Sequence, residues 1–470
     1  MKICIKNPAP LGPSLKKWGD YHFGQSLQRA LERRGATVSQ HYWPDWNVGE
    51  GEDAILVLRG KRPFVPPTDR ISMMWVISHP ATVMPEEMDG YSVVFLASEK
   101  HRQLMLEATS TQIEVMRQCT DIEMFGASGG LGRDPDTRRG IVFVANSRGV
   151  RRDIVRWAID SDMPMEVYGR HWNALGLGSR LVRDYIANED LPGFYARSRL
   201  SLNDHWGDMA YFGIINNRIF DCLACGVPIL SDAFPELRDL CGESILYADS
   251  PESFARALQS YTFHYDERIE LTRRLWDRIG SSHTFDARAE QILAMAGVSS
   301  LPRGVVGKSM RPAENLRTPV DTATRALRMG GHYGEVRVFH VGPSKAWMQA
   351  LLECDGIGYL SGGFGEGPWH VEIYGSLELV PDDSFDILVL DVLPKELLNA
   401  PSRLAVVLQA ICRKVKAGCY VVLSSRIEGV EVILGVDTAM PADWNDSASK
   451  TYQLPLNLKG SFGIVGAMND

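Results

Sequence analysis

What the sequence lacks narrows its class first. No run of eighteen apolar residues occurs, so no segment is predicted to cross a bilayer as a helix. Eight cysteines among 470 residues show no paired spacing, which argues against a disulfide scaffold and suits a reducing, cytoplasmic setting. Positive charge is in deficit: Lys and Arg total 50 against 58 Asp and Glu, a formal net charge of -8. That balance speaks against non-specific binding to nucleic acid or to an anionic membrane. The opening Met1-Lys2-Ile3-Cys4-Ile5 lacks the apolar core of a signal peptide and reads as a buried strand. Internal repeats and low-complexity tracts are missing too. With 45 % apolar residues, wholesale disorder is excluded, and the length suits two or three domains.

What is present is alternation. Short apolar runs at Ile3–Ile5, from Val38, at Ala54–Leu58, Met73–Ile77 and Val93–Ala97 are separated by helical patterns. The first helix carries Phe23, Leu27, Ala30 and Leu31 on one face and stops at Gly35. This pattern predicts a mostly parallel sheet covered on both faces. Gly126–Pro135 has hinge composition, and beyond it the alternation restarts: Ile141–Ala145, Met165–Gly169, Leu200–Asn203 and Val227–Asp232. A helix between the first two places Ile154, Val155, Trp157 and Ala158 on its apolar face. A Pro/Gly-rich stretch from Val298 to Pro319 precedes a third set of strands at Val336–Val341, Phe385–Asp391 and Tyr420–Ser424. The expected division is residues 1–128, 138–297, a linker at 298–320, and 321–470.

The chemistry concentrates between Leu202 and Leu237. Leu202 ends a buried strand, so Asn203, Asp204 and His205 fall at its carboxyl edge, where ligands of open α/β sheets sit. Asn216 or Asn217 suits a helix N-cap, Ile219, Phe220 and Leu223 form its buried stripe, and Gly226 with Pro228 end it. That helix start, with Arg218 in its first turn, is suited to an anion. Asp221, one turn on, is suited to a diol such as ribose. Asp232, Pro235 and Glu236 follow on a loop at the same edge. Cys222 and Cys225 lie on the apolar helix and read as core packing, since neither a second cysteine pair nor suitably spaced histidines complete a zinc site.

Asn216 through Asp232 resembles the donor-nucleotide motif of GT-B glycosyltransferases, and is most similar to the CgeB-like (spore maturation protein) branch related to glycosyltransferase family 4. Phe143–Arg152, Val167-Tyr168-Gly169, Leu191–Ala196 and Trp18–Phe23 resemble further segments of that branch, so the likeness runs over about residues 1–295. It implies two Rossmann-like domains facing a cleft, with the N-terminal one on the acceptor side, and a nucleotide-diphosphate sugar as donor. Donor contacts implied or suggested are Gly19, Arg148, Arg152, Gly169, Asn216, Asn217, Arg218 and Asp221. Many family 4 enzymes carry Glu, seven residues, then Glu across this segment; here the second falls at Asp221 and the first at Gly213, which has no carboxylate. His205 and Asp208 are candidates to substitute, with Asp20, His22 and His79 at the acceptor-side edge.

Transfer of a sugar without a metal requires arginines and helix N-termini to receive the departing diphosphate. No Asp-x-Asp stands in the cleft segments, and Asp134-Pro135-Asp136 lies in the hinge, so no metal is expected. The reading is therefore a metal-independent transferase, retaining by resemblance, acting on an unidentified acceptor. The rivals are a nucleotide-sugar 2-epimerase, a non-catalytic nucleotide-sugar-binding scaffold, and a bifunctional glycosyltransferase–methyltransferase. The last arises because Ser384–Asp391 and Lys414–Gly418 weakly resemble a class I methyltransferase. Against it, Val341–Lys345 carries a single glycine where a cofactor loop needs several, and Ile357–Ser361 carries no acid for a cofactor ribose. A third α/β domain of docking type is the expectation there.

Overall fold

The computed structural model describes residues 1–46, 51–126, 138–147, 152–170, 172, 177, 180–183 and 185–298, and beyond these mainly the strands at 336–341, 357–363, 371–372, 385–390, 415–424 and 449–453. They form two compact units, one from the described residues up to 308 and one from those after it. The expected hinge and linker lie largely outside the described residues.

The first unit contains two lobes. The N-terminal lobe runs β1 (Lys2–Pro10), α1 (Gly19–Arg33), β2 (Thr37–Trp43), β3 (Ala54–Arg59), β4 (Ile71–Val76), α2 (Pro85–Met88), β5 (Val93–Leu96), α3 (Glu99–Met105), β6 (Gln112–Val115) and α4 (Ile122–Phe125). Its sheet is parallel throughout, in the order β2-β1-β3-β4-β5-β6. Every residue of β3 is buried, as a strand covered on both faces must be.

The second lobe runs β7 (Arg139–Val144), α5 (Asp153–Asp160), β8 (Glu166–Tyr168), β9 (Leu181–Arg183), α6 (Leu191–Arg197), β10 (Ser198–Asn203), α7 (Gly207–Tyr211), α8 (Asn217–Ala224), β11 (Ile229–Ser231), α9 (Pro235–Cys241), β12 (Leu246–Tyr247), α10 (Pro251–Phe263), α11 (Tyr265–Ile279) and α12 (Phe285–Val298). Its parallel sheet has the order β12-β11-β10-β7-β8-β9. Strand alternation sends Leu230 into a core with Phe143, Leu202 and Phe254, and its neighbour Ile229 into another with Phe220, Leu237 and Trp276.

The last helix returns to the first lobe. Phe285, Ala289, Ile292 and Ala296 of α12 join Ile5, Leu27, Leu56 and Trp75 in one core. Phe23 and Phe285 meet edge to face at 4.8 Å. Ion pairs between Arg33 and Asp286 (2.8 Å) and between Arg34 and Glu290 (2.7 Å) decorate this contact, but at the surface each contributes at most about 1 kcal/mol. Apolar burial holds α12 in place. Two parallel α/β lobes joined in this way, with strand ends converging on a shared cleft, give the GT-B architecture.

The second unit has a sheet of β13 (Val336–Val341), β14 (Ile357–Gly363), β15 (Val371–Glu372), β16 (Phe385–Leu390), β17 (Val415–Ser424) and β18 (Ser449–Gln453). Its order is β15-β14-β13-β16-β17-β18, parallel except for the antiparallel β17–β18 pair. Phe339 and Phe385 stack at 5.2 Å in its core. No described helix is long and apolar enough to cross a membrane.

Candidate functional site

Helix α8 is anchored from beneath. Ile219, Phe220 and Leu223 have no exposed surface, which fixes the helix on β10 and β11 and leaves its first turn at the carboxyl edge of the sheet. There Asn217 is exposed and Arg218 half-buried. Both line a cavity of ≈ 190 Å³ together with Asp221, Tyr195 and, from the first lobe, Gly19, His22 and Asp121. The first lobe's α1 start and the second lobe's α8 start therefore share one cleft.

Arg218 is held by a chain of partly buried hydrogen bonds that begins and ends on this turn. Arg218 Nη1 donates to Asn203 Oδ1 (2.8 Å), and Asn203 Nδ2 donates to Ser231 Oγ (2.9 Å). The Ser231 hydroxyl donates to Asp232 Oδ1 (2.8 Å), which also accepts from His205 Nδ1 (2.8 Å). The backbone N–H of Asn216 then donates to His205 Nε2 (3.1 Å). Since Nε2 accepts, Nδ1 carries the proton, and the tautomer is set by its partners. Burial alone would raise the Asp232 carboxyl, but His205 and Ser231 outweigh it and hold it low.

This geometry corrects two expectations. His205 has both ring nitrogens engaged and a fully buried side chain, so it braces the Asn216 turn and has no free nitrogen for acid–base work. Arg152 is likewise engaged: Nε and Nη2 each lie 2.6 Å from Asp204, and its guanidinium stacks on Trp206 at 3.8 Å. Pairing of a buried charge makes Arg152 a structural cation here, not a free diphosphate ligand.

The N-cap expectation also changes. Asn216 stands at the N-cap but makes no side-chain cap; its Nδ2 donates to the Asp204 carbonyl (3.0 Å). The Asn217 N–H donates to Gln118 Oε1 (2.7 Å), from the segment after β6. The first amide of the turn without a hydrogen-bond partner among the described residues is that of Arg218; its guanidinium lies over the Phe143 ring at 5.6 Å, and its Nε and Nη2 make no hydrogen bond to those residues.

Asp221 faces the cleft with both oxygens partly satisfied. Oδ1 accepts from Thr120 Oγ1 (2.6 Å) and Oδ2 from Asn217 Nδ2 (3.2 Å). Burial pushes its carboxyl up to about 7, with Thr120 and Arg218 opposing the shift.

The remaining candidates are placed as follows. Gly19 opens α1 with free space around it, and the Asp20 carbonyl accepts from Asn7 Nδ2 (2.9 Å). His22 Nε2 bonds the Lys16 carbonyl (2.7 Å), and burial lowers its pKa. His79 has a left-handed backbone (φ 52°), its Nδ1 is 3.0 Å from Ser78 Oγ, and the turn it begins packs on α7. Asp208, buried in the first turn of α7, accepts from the Met209 N–H (2.9 Å). His79 and Asp208 thus come from facing elements of the two lobes. A side chain at Gly169 would collide with the Ala145 carbonyl, so glycine there permits the β7 and β8 ends to touch. Arg148 lies outside the described residues.

Cys222 and Cys225 are buried in the α8 core, and burial pushes Cys222 up to about 12. Elsewhere Cys4, His41 and Glu52 bring ligand-type atoms within 4.8 Å of one another. Two cations already serve that cluster: Lys6 Nζ is 3.0 Å from His41 Nδ1, and Arg70 reaches Glu52 at 3.5 Å. Adding a dication there would place like charges together.

Residues 148–294 match a family described as Glycosyl transferase-like. That stretch is a glycosyltransferase-like domain. It spans α5 to most of α12 and includes the whole Asn203–Arg218 network. Among solved structures the chain is similar to sucrose-phosphate synthase from Thermosynechococcus elongatus (12 % identity, TM-score 0.46, 63 % of this chain and 98 % of that one). It is also similar to α,α-trehalose 6-phosphate synthase from Burkholderia multivorans (10 %, 0.45, 63 % and 98 %) and to HepE of Anabaena solved with UDP and glucose (11 %, 0.44, 63 % and 99 %). No curated protein matches the sequence.

Gln118 and Thr120 contact the α8 start although no sequence motif marks them, whereas Tyr195, which lines the cavity, falls within the Leu191–Ala196 segment of the resemblance. Gln118 and Thr120 follow β6, whose Gln112-Ile113-Glu114-Val115 is too short and polar to stand out as a strand. Position after a parallel strand is the signal that marks them once β6 is known.

Proposed function

We propose that the protein transfers a sugar from a nucleotide-diphosphate donor, bound at the start of α8, to an acceptor presented by the first lobe. The observation that carries this reading is the shared cleft: Gly19 from one lobe and Asn217, Arg218 and Asp221 from the other line a single cavity. The match of residues 148–294 supports the same activity.

In this reading Arg218 offers its amide and guanidinium to the diphosphate, where charge builds as the sugar leaves. Asp221 accepts hydrogen bonds from the ribose diol. Asn216 and Asn217 shape the turn, and Arg148 supplies further positive charge. His79, Asp20 and Asp208 are the groups proposed to handle the acceptor proton. The transfer proceeds without a metal, a reading supported by the cleft segments' lack of an Asp-x-Asp, and with retention, as the likeness to the CgeB-like branch implies.

The C-terminal sheet, parallel with one reversed strand, supports a methyltransferase-like domain. Its β14 sequence Ile357–Gly363 offers no carboxylate to a cofactor ribose, which favours a docking role. Calorimetry with S-adenosylmethionine tests this; binding would overturn the docking role.

A thermal-shift screen of UDP, GDP, ADP and TDP, followed by a transfer assay with the matching sugar nucleotides, tests the principal reading. A stabilising nucleoside diphosphate whose effect is lost in Arg218→Ala supports it. Absence of any shift contradicts it.

A further inference from the structure

The chain between β1 and α1 reaches across to the second lobe. It holds a short helical turn, Leu15–Lys17, in which no residue is buried. Gly12, with a left-handed backbone (φ +140°), precedes the turn and Gly19 follows it, and a side chain at either position would meet open space. A turn with little packing beneath it, set between two unconfined glycines, is free to move as a piece.

The turn is held against the second lobe by its backbone. The Lys16 carbonyl accepts from Tyr185 Oη (3.3 Å) and the Lys17 carbonyl from Arg170 Nη2 (3.5 Å), while the Lys17 ammonium lies 5.8 Å from the centre of the Tyr185 ring. Both hydrogen bonds are exposed and longer than the usual range of about 2.7–3.2 Å, so each is weak and water competes for it. On the first-lobe side, His22 Nε2 donates to the same Lys16 carbonyl (2.7 Å). His22 lines the cavity between the lobes, as do Gly19, just after Lys17, and Asn188, just after Tyr185. The contact therefore stands beside the cavity and ties its two walls together. That cavity measures ≈ 190 Å³. Pockets that enclose small-molecule ligands run from roughly 300 to 1,000 Å³, and a nucleotide sugar is among the larger of these ligands. With the contact made, the cleft is smaller than the donor proposed for it.

We infer that the Leu15–Lys17 turn is a strap that holds the cleft shut in the free protein and is lifted from Tyr185 and Arg170 when a nucleotide-diphosphate donor enters. Only molecules with the strap released admit the donor, and the two weak hydrogen bonds set how many those are. Gly12 and Gly19 take up the backbone change. This inference rests on the proposed donor site and adds the gate through which that site is reached.

Tyr185→Phe removes one of the bonds and keeps the ring beside Lys17. With no ligand present, it is expected to speed tryptic cleavage after Lys16 or Lys17 about threefold, read by mass spectrometry of the fragments, because cleavage follows the released population. In stopped-flow titration with UDP, or with the nucleoside diphosphate that stabilises the protein most, it should speed association about threefold and leave dissociation within about twofold. Arg170→Met, which removes the other bond, should speed cleavage in the same way. A saturating nucleoside diphosphate should speed cleavage of the parent, since a filled cleft keeps the strap raised. Protection by the bound nucleotide, or no effect of it, overturns the inference and leaves the donor site standing. Unchanged cleavage or unchanged association in Tyr185→Phe does the same. Should Tyr185→Phe lose its fold by circular dichroism, the cleavage rate of Arg170→Met decides by the same criterion. If the parent binds no nucleoside diphosphate, the donor site itself falls, and the gate with it.

Discussion

Thr120 Oγ1 lies 2.6 Å from Asp221 Oδ1, a buried hydrogen bond from the first lobe to the helix proposed to hold the donor. Both residues sit where strands end, one after β6 and the other on the helix after β10. With Gln118 on the Asn217 amide, it makes the α8 start a meeting point of both lobes. Several consequences of this contact are measurable.

Burial pushes the Asp221 carboxyl up to about 7, and its ionised form is the stronger acceptor for the two hydroxyls of a diol. Its folded value of about 7 lies above the ordinary carboxylate value of 3.8. Its stabilising contribution is therefore full below about pH 4 and is lost as pH rises through 7. Donor affinity runs the other way, rising between pH 6 and 8. Calorimetry across that range should show a pH dependence in the parent beyond that in Asp221→Asn, which shares the titration of the ligand itself. Parallel curves would contradict the assignment.

Asn203 orients Arg218 and touches no ligand in this account. Asn203→Leu should weaken nucleoside diphosphate binding roughly five- to tenfold, by about 1–1.5 kcal/mol, while leaving a folded protein. Arg218→Ala should lose about 1.5–3 kcal/mol, the worth of a charge-assisted contact. Comparing the two dissociation constants separates positioning from contact.

His205→Ala removes one partner of Asp232, its imidazole donor, and leaves the Asn216 N–H without an acceptor. A loss of about 2–4 kcal/mol in urea-induced unfolding is expected, larger than for an exposed histidine. A change under 0.5 kcal/mol, roughly the effect of a surface substitution, would show that the brace is not structural.

His101 reports on the contact between the lobes from outside the proposed chemistry. It is fully buried against Phe212 at 4.5 Å, neither ring nitrogen has a partner among the described residues, and burial lowers its pKa from 6.5 to about 3. The charged form is disfavoured in the folded state, so stability falls as pH drops from 6.5 towards 3, by up to about 1.4 kcal/mol per unit. His101→Met should flatten this part of the stability–pH curve.

The sheets were legible wherever strands are buried on both faces, because Ala54–Leu58 or Val93–Ala97 can hardly be anything else. Short strands with polar residues, such as Gln112–Val115, Leu181–Arg183 and Leu246–Tyr247, exist because neighbours pair with them, and local pattern does not reveal them. The same holds for the site. Arg218 and Asp221 stood out from helix periodicity, whereas Arg152 and His205 also looked available. Only the folded contacts show that Asp204 and Asp232 already engage them. Lys16 and Tyr185, separated by 169 positions, become one feature only in three dimensions.

The most direct measurement is calorimetric titration of the full chain with nucleoside diphosphates, in parallel with Arg218→Ala. The account predicts saturable binding of at least one of them at a single site, weakened at least tenfold by the substitution. Saturable binding unaffected by the loss of Arg218, or no binding at all, would contradict it.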